Sequence, residues 1–142
     1  MAFTSTQTFG GPGGSAFQDD LTQVCRLVGI NVRSGEYVDM LQAVWQYPNG
    51  ATVNGQQHGG GGGSPTSIHL QPGERIVRVD LRSGIYVDQI TFFTDQGRQY
   101  GPYGGNGGEP HTLSNLENVT GFVGRAAQFV DQIGFWIPAK CP

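Results

Sequence analysis

Arg33-Ser34-Gly35-Glu36-Tyr37-Val38-Asp39 and Arg82-Ser83-Gly84-Ile85-Tyr86-Val87-Asp88 are one phrase written twice, differing only at Glu36 against Ile85. A weaker third copy is Arg125-Ala126-Ala127-Gln128-Phe129-Val130-Asp131. The copies are offset by 49 and 43 residues. Self-similarity at a period of a few tens of residues marks a fold built from repeated units. The flanks repeat as well. Ile30, Val79 and Phe122 share a register before the phrase; Leu41, Ile90 and Ile133 share one after it, followed by Ala43, Phe92 and Phe135. Apolar residues at every second position read as half-buried strands. Each phrase is therefore expected to be a turn between two strands.

A second element keeps step with the first. Gly10-Gly11-Pro12-Gly13-Gly14, Gly59-Gly60-Gly61-Gly62-Gly63 and Gly104-Gly105-Asn106-Gly107-Gly108 alternate with the three phrases, preceded by Phe9, His58 and Tyr103. One polyglycine tract alone would read as a flexible linker. Three tracts in register with three strand-turn-strand units do not. No segment sustains a helical period, and glycine and proline are spread throughout, which breaks helices. The expected fold is all-β, with about twelve short strands in three similar sheets and residues 1–142 forming one domain.

Composition narrows the function classes. Glycine reaches 24 of 142 residues, only 13 % are charged, and the net charge is −3. The eight lysines and arginines are scattered, so the basic patch that nucleic-acid binding needs is absent. No apolar run is long enough to cross a membrane as a helix, so no membrane insertion is expected. Met1 to Phe9 are polar and lack the basic-then-apolar pattern of a signal peptide. A cytosolic chain, export by another route and numbering from a mature form all fit, with an extracellular setting slightly favoured. Cys25 and Cys141 are too few for a structural zinc site, and no cofactor is expected. A disulfide between them, two free thiols and an intermolecular link stay open. Asn118-Val119-Thr120 is a formal glycosylation sequon, relevant only in a secretory pathway.

The repeated turn has its own chemistry. Its glycine permits a positive φ, and such a turn can aim backbone amides into one concavity. The aspartate adds two acceptor oxygens beside those donors. Sugar hydroxyls donate and accept at once and suit this mixture. A side-chain-free glycine loop supplies a second wall. A lone aspartate after a turn usually just caps nearby amides; three copies, each with a glycine loop, favour binding. Tyr37, Tyr86 and Phe129 read equally as walls for a sugar face or as packing for the turn. An enzyme is not expected. His58, His69 and His111 have no metal-ligand spacing, and Ser15, Ser64 and Ser114 lack a nucleophile-elbow context. Asp39, Asp88 and Asp131 lie in separate equivalent turns rather than as the facing pair of a glycosidase.

Taken together, the three glycine loops, Gly10 to Phe17, His58-Gly59-Gly60, Tyr100-Gly101-Pro102-Tyr103-Gly104, Gly121-Phe122-Val123-Gly124-Arg125 and Phe129-Val130-Asp131-Gln132-Ile133-Gly134, make a chain that resembles the jacalin-related lectins over nearly its whole length. That resemblance implies a β-prism I fold, three four-stranded Greek-key sheets about a pseudo-threefold axis. Within the family the pattern is most similar to the griffithsin-type branch, where all three repeats bind sugar. The resemblance then implies three sites. One combines Gly14 with Ala127, Gln128, Phe129, Val130 and Asp131. A second combines Gly63 with Gly35, Glu36, Tyr37 and Asp39. The third combines Gly108 with Gly84, Ile85, Tyr86 and Asp88. In each, the aspartate would accept hydrogen bonds from two hydroxyls while backbone amides complete the set. Residues 1–9 precede the first loop unbroken, unlike the cleaved galactose-binding branch. The implied partners are therefore mannose- or glucose-containing glycans and glycoproteins, crosslinked through several sites, with a homodimer left open. The alternative is a β-prism scaffold for protein contacts without sugar binding. Two departures stand out. Ala127 replaces the turn glycine, which strains the third site if that position needs positive φ, and Pro12 removes one loop amide.

Overall fold

A computed structural model describes residues 4–137. Cys141, one half of the cysteine pair considered above, lies outside the described residues. Cys25 is buried, and no described cysteine is free.

Among the described residues there are fourteen strands and no helix. The chain opens with β1 (Thr4–Ser5), β2 (Phe9–Gly10) and β3 (Ser15–Gln18). A long hairpin follows, β4 (Arg26–Ser34) and β5 (Val38–Gln46), and then β6 (Thr52–Asn54), β7 (His58–Gly59) and β8 (Ser64–His69). The second hairpin is β9 (Ile76–Ser83) and β10 (Val87–Thr94), followed by β11 (Gln99–Gly104) and β12 (Glu109–Leu113). The third is β13 (Gly121–Ala126) and β14 (Val130–Ile137).

These strands form three antiparallel sheets with one plan. The orders are β8-β4-β5-β6, β12-β9-β10-β11 and β3-β13-β14-β1; β7 also pairs with β5, and β2 with β14. Each sheet centres on a hairpin, and the strand that leaves it returns to the hairpin's far side, the Greek-key connection. The third sheet takes its outer strands from the start of the chain and its hairpin from the end, which closes the prism. The expected twelve strands become fourteen because two outer strands are each broken in two, β1 with β2 and β6 with β7. Their counterpart β11 runs unbroken, with an irregular register between Ile90 and Phe92.

The repeated apolar register is the core. Ile30, Val79 and Phe122 are fully buried, as are Leu41, Ile90 and Ile133, and Ala43, Phe92 and Phe135. Val38, Val87 and Val130, the valines of the three phrases, join them. Side-chain size varies at equivalent positions, Ala43 against Phe92 and Phe135, so the threefold plan holds for direction and not for volume. On the partly exposed face, charges pair locally: Arg78 forks onto Asp80 and lies over Phe93.

Burial this complete makes a large-to-small change costly. Phe92→Ala is expected to lower unfolding free energy by about 3–5 kcal/mol. Urea titration checks this, and a loss below about 1 kcal/mol would contradict the packing.

Candidate functional site: three carboxylates facing three glycine loops

The three phrases form turns at one end of the prism, where their rings meet. Tyr37, Tyr86 and Phe129 lie with centroids 4.9–5.0 Å apart, a near-equilateral cluster in tilted contact. They lock the three turns to one another, at about 0.5–1.5 kcal/mol per aromatic pair beyond burial.

Each aspartate sits on an irregularity of its hairpin. Arg33 pairs with Met40 and Ser34 with Val38, so Asp39 has no opposite residue. Asp88 is skipped between Val87 and Gln89, and Asp131 between Val130 and Gln132. These are β-bulges, which insert one residue and re-aim its side chain. The bulge lets a valine and the next aspartate both turn inward: Asp39, Asp88 and Asp131 are 6 %, 8 % and 4 % exposed.

The glycine loops close on these carboxylates. A Cβ built on Gly13, Gly62 or Gly107 would lie 2.7–2.8 Å from one oxygen of Asp131, Asp39 or Asp88. On Gly14, Gly63 or Gly108, all with φ of +70° to +73°, it would lie as close to the other oxygen. Any side chain there would fill the space in front of the carboxylate. The first loop glycine is needed for another reason. A Cβ on Gly10, Gly59 or Gly104 would fall 2.0–2.1 Å from the carbonyl oxygen of the same aspartate. Only the third position is free: Gly61 has open space around it, and Pro12 and Asn106 stand at the same place. Pro12 therefore fits without distortion, its carbonyl accepting from Arg125.

Arginine fixes the loops. Arg33 donates to the carbonyls of Gly62 and Gly63, Arg82 to those of Gly107 and Gly108, and Arg125 to those of Gly13 and Gly14, at 2.8–3.1 Å. A planar fork on consecutive carbonyls is a geometry lysine does not reproduce. Sequence reasoning assigned these arginines no role, although each opens its phrase.

The turn glycine needs correction. Gly35 and Gly84 do not adopt positive φ, and neither does Ala127. All three turns close with the same bond, from the amide of Gly35, Gly84 or Ala127 to the carbonyl of Tyr37, Tyr86 or Phe129, at 2.9–3.0 Å. Alanine therefore leaves the third turn unchanged. A Cβ on Gly35 would sit 3.8 Å from Gly63 Cα and 4.0 Å from an Asp39 oxygen. The Ala127 methyl thus occupies the mouth between loop and carboxylate. Val130 packs in the core rather than in the mouth. Gln128, Glu36 and Ile85 stand exposed at the three turn tips, Ile85 at 72 %.

The carboxylates are held in a costly setting. Burial pushes each of the three above the ordinary aspartate pKa, against the opposing pull of Arg33, Arg82 and Arg125. The amides of Gly84 and Ala127 also favour ionisation of Asp88 and Asp131. One Asp131 oxygen, Oδ1, is buried with no hydrogen-bond partner among the described residues. A cleft of about 550 Å³ lies elsewhere, between Arg26 and Arg75 at the opposite end of the strands. No group of three metal-binding side chains occurs among the described residues.

Comparison with known proteins gives a consistent picture. The family model of the jacalin-like lectin domain matches residues 6–136. Griffithsin of Griffithsia sp. is 40 % identical over 129 residues, 90 % of this chain and 92 % of that protein. A mannose-binding jacalin-related lectin from Ananas comosus superposes with a TM-score of 0.85 at 29 % identity, covering 94 % of this chain and 96 % of the other. Artocarpin in complex with mannotriose matches at 0.85 and 25 % identity, covering 95 % and 97 %.

A folded pKa above the unfolded value means that each ionised aspartate weakens the unliganded fold; the penalty appears as pH rises through the folded pKa and is gone below the ordinary value. Replacing all three by asparagine should raise the neutral-pH melting temperature, by on the order of 2–4 °C per kcal/mol relieved. It should also remove that part of the stabilisation seen on acidification. Thermal melts across pH check this, and a lower neutral melting temperature for the triple variant would contradict it.

Proposed function

The chain belongs to the jacalin-like lectin family, and from that premise we propose that it binds mannose- and glucose-type sugars at three sites, one at each bulged aspartate. The observation that carries this reading is the buried, unpartnered acceptor: Asp131 Oδ1 has no donor among the described residues, and both oxygens of every site aspartate face loop glycines. Leaving a buried acceptor unmade costs about 1–3 kcal/mol. Two neighbouring sugar hydroxyls, each donating to one carboxylate oxygen, remove that cost in the bound state. Charge-assisted bonds of this kind are about twice as strong as neutral ones. Gly14, Gly63 and Gly108, with the turn residues Gly35 to Tyr37, Gly84 to Tyr86 and Ala127 to Phe129, form the two walls beside the bound ring.

The protein binds without cleaving. Glycoside hydrolysis uses two carboxyl groups across the bond. The three equivalent sites share one aspartate each, while the neighbouring turn tip is Glu36, Ile85 or Gln128, so no second carboxylate recurs. Residues 1–142 act as one lectin domain. Partners are glycans and glycoproteins, and the three mouths at one end suit branched, mannose-rich chains. A single shallow site at millimolar Kd holds about −4 kcal/mol; linked sites raise avidity by roughly 10²–10⁴. A homodimer would present two such ends and crosslink.

Titration calorimetry with methyl α-mannoside should return three sites per chain, and Asp39→Ala, Asp88→Ala and Asp131→Ala should each remove one. Folded protein that binds no mannoside would leave only the scaffold for protein contacts. In a chain carrying Asp39→Ala and Asp88→Ala, the remaining Asp131 site should be tightened by Ala127→Gly, by up to about tenfold or 1.4 kcal/mol; weaker binding would contradict the methyl's place in the mouth. Hydroxyl donors favour the ionised aspartate, so sugar binding lowers its pKa. Affinity should accordingly fall as pH drops through the raised pKa of the free site, with a proton released on binding in that range. Affinity that stays flat down to the ordinary value of 3.8 would contradict this.

A further inference from the structure

The three glycine loops face their aspartates in the same way but are stiffened by different means. In the first, Pro12 has its φ fixed by the ring, and its carbonyl accepts from Arg125 at 3.1 Å. In the third, Gln89 donates to the Gly105 carbonyl at 3.1 Å and to the Asn106 side chain at 3.3 Å. The second loop, Gly59 to Gly63, has neither device: Gly61 stands in the place of Pro12 and Asn106, with open space around it. Its added fixed point is at the stem. His58 Nε2 and Asp19 Oδ1 are hydrogen-bonded at 2.6 Å, with both side chains 1 % exposed. The other Asp19 oxygen accepts from the Phe122 amide at 2.8 Å, and the Asp19 amide donates to the Phe122 carbonyl at 2.9 Å. The His58 ring stacks on Phe17, with centroids 3.8 Å apart. His58 lies on β7 and pairs with Leu41, two residues from Asp39. The next residue, Gly59, lies on the Asp39 carbonyl. The stem of the all-glycine loop is thus fastened to a different sheet, through Phe17 of β3 and, by way of Asp19, Phe122 of β13.

Packing alone does not require this pair. Phe9 holds the equivalent stem of the first loop with an apolar ring, stacked on His111 at 4.4 Å. Replacing a buried polar pair by apolar residues of like volume is often neutral for stability; what the pair adds is a fixed direction. Resting on the sugar-site reading above, we propose that Asp19 and His58 are positioning residues for the Asp39 site. Their bond holds the stem, so that Gly62 and Gly63 stand in front of the Asp39 carboxylate before sugar arrives. Neither residue touches the sugar. Without the bond the loop has to be ordered at the expense of binding, and that loss falls on one site of the three.

Single-site proteins test this. One keeps the Asp39 site (Asp88→Ala with Asp131→Ala) and the other keeps the Asp88 site (Asp39→Ala with Asp131→Ala). Each is titrated by NMR with methyl α-mannoside, with and without His58→Phe, which keeps a ring on Phe17 and loses the bond. Asp19→Ala removes the same bond from the other side and is run in parallel, so the outcome does not hang on one variant folding. Ordering one freed backbone residue on binding costs about tenfold in affinity, so the expected result is a weakening of about five- to tenfold in the Asp39-site protein and of less than about twofold in the Asp88-site protein. Adding Gly61→Pro to the weakened protein should recover affinity, because Pro12 shows that proline fits there, and proline stiffens the loop without restoring the bond. A role in folding alone would lower the melting temperature and gain nothing from that rescue. An unchanged Asp39 site, an equal loss at both sites, or a loss that Gly61→Pro leaves in place overturns the proposal. If neither single-site protein binds the mannoside with His58 and Asp19 intact, the sugar sites themselves are overturned, and this assignment with them.

Discussion

At the end of the prism where the three turns meet, main chain lies directly on main chain, and the rest of the site depends on that approach. The first glycine of each loop touches the carbonyl of its own aspartate, closer than any Cβ would permit. The second donates to the same carbonyl, at 2.8–2.9 Å, and touches the tip of the next turn. Glycine costs roughly 0.5–1 kcal/mol of backbone entropy against alanine. Here four positions of each loop accept that cost. What the loops gain is position: they sit against three buried carboxylates with nothing between. The arginine forks hold the far side of each loop, so a segment with almost no side chains still has one defined conformation.

This arrangement sets stability against binding. A buried carboxylate is expensive unless paired and hydrogen-bonded, and these three are raised in pKa by burial despite an arginine nearby. Each arginine directs its Nε and Nη2 donors to loop carbonyls and not to the carboxylate. The core offsets the cost elsewhere: twelve apolar positions equivalent across the repeats are fully buried. A site whose loops and turns are already held in place around a buried, unsatisfied acceptor is pre-organised, so little of the binding energy goes into ordering the protein.

Much of this was legible in the sequence. The repeated phrase located the three hairpins, and every flanking position read as inward is fully buried. The β-bulge left a signal that alternation alone passes over. Val38 and Leu41, Val87 and Ile90, and Val130 and Ile133 are three apart, an odd spacing, yet both members of each pair are buried. A regular strand cannot turn both inward; one inserted residue can. The arginine clamp was visible only as recurrence, because nothing in a sequence says which carbonyls a guanidinium will meet. The turn glycine misled for a related reason: its permissiveness suggested a positive φ, whereas Gly35 and Gly84 have an ordinary one and leave open space at the mouth. The aromatic positions were ambiguous because both readings were local. Their partners are one another, across three repeats, and that contact exists only once the prism has closed.

Repetition explains why the sites exist, and its failures explain how they differ. Positions that touch backbone keep their residue in all three copies: the loop glycines do so because geometry tolerates nothing else. Positions that touch side chains vary in size, as Ala43, Phe92 and Phe135 do, because a shared core needs only a constant total volume. Positions that touch only solvent vary in chemistry, as Glu36, Ile85 and Gln128 do. Those last residues still have backbones fixed by the neighbouring loop, so their freedom lies entirely in the side chain they present.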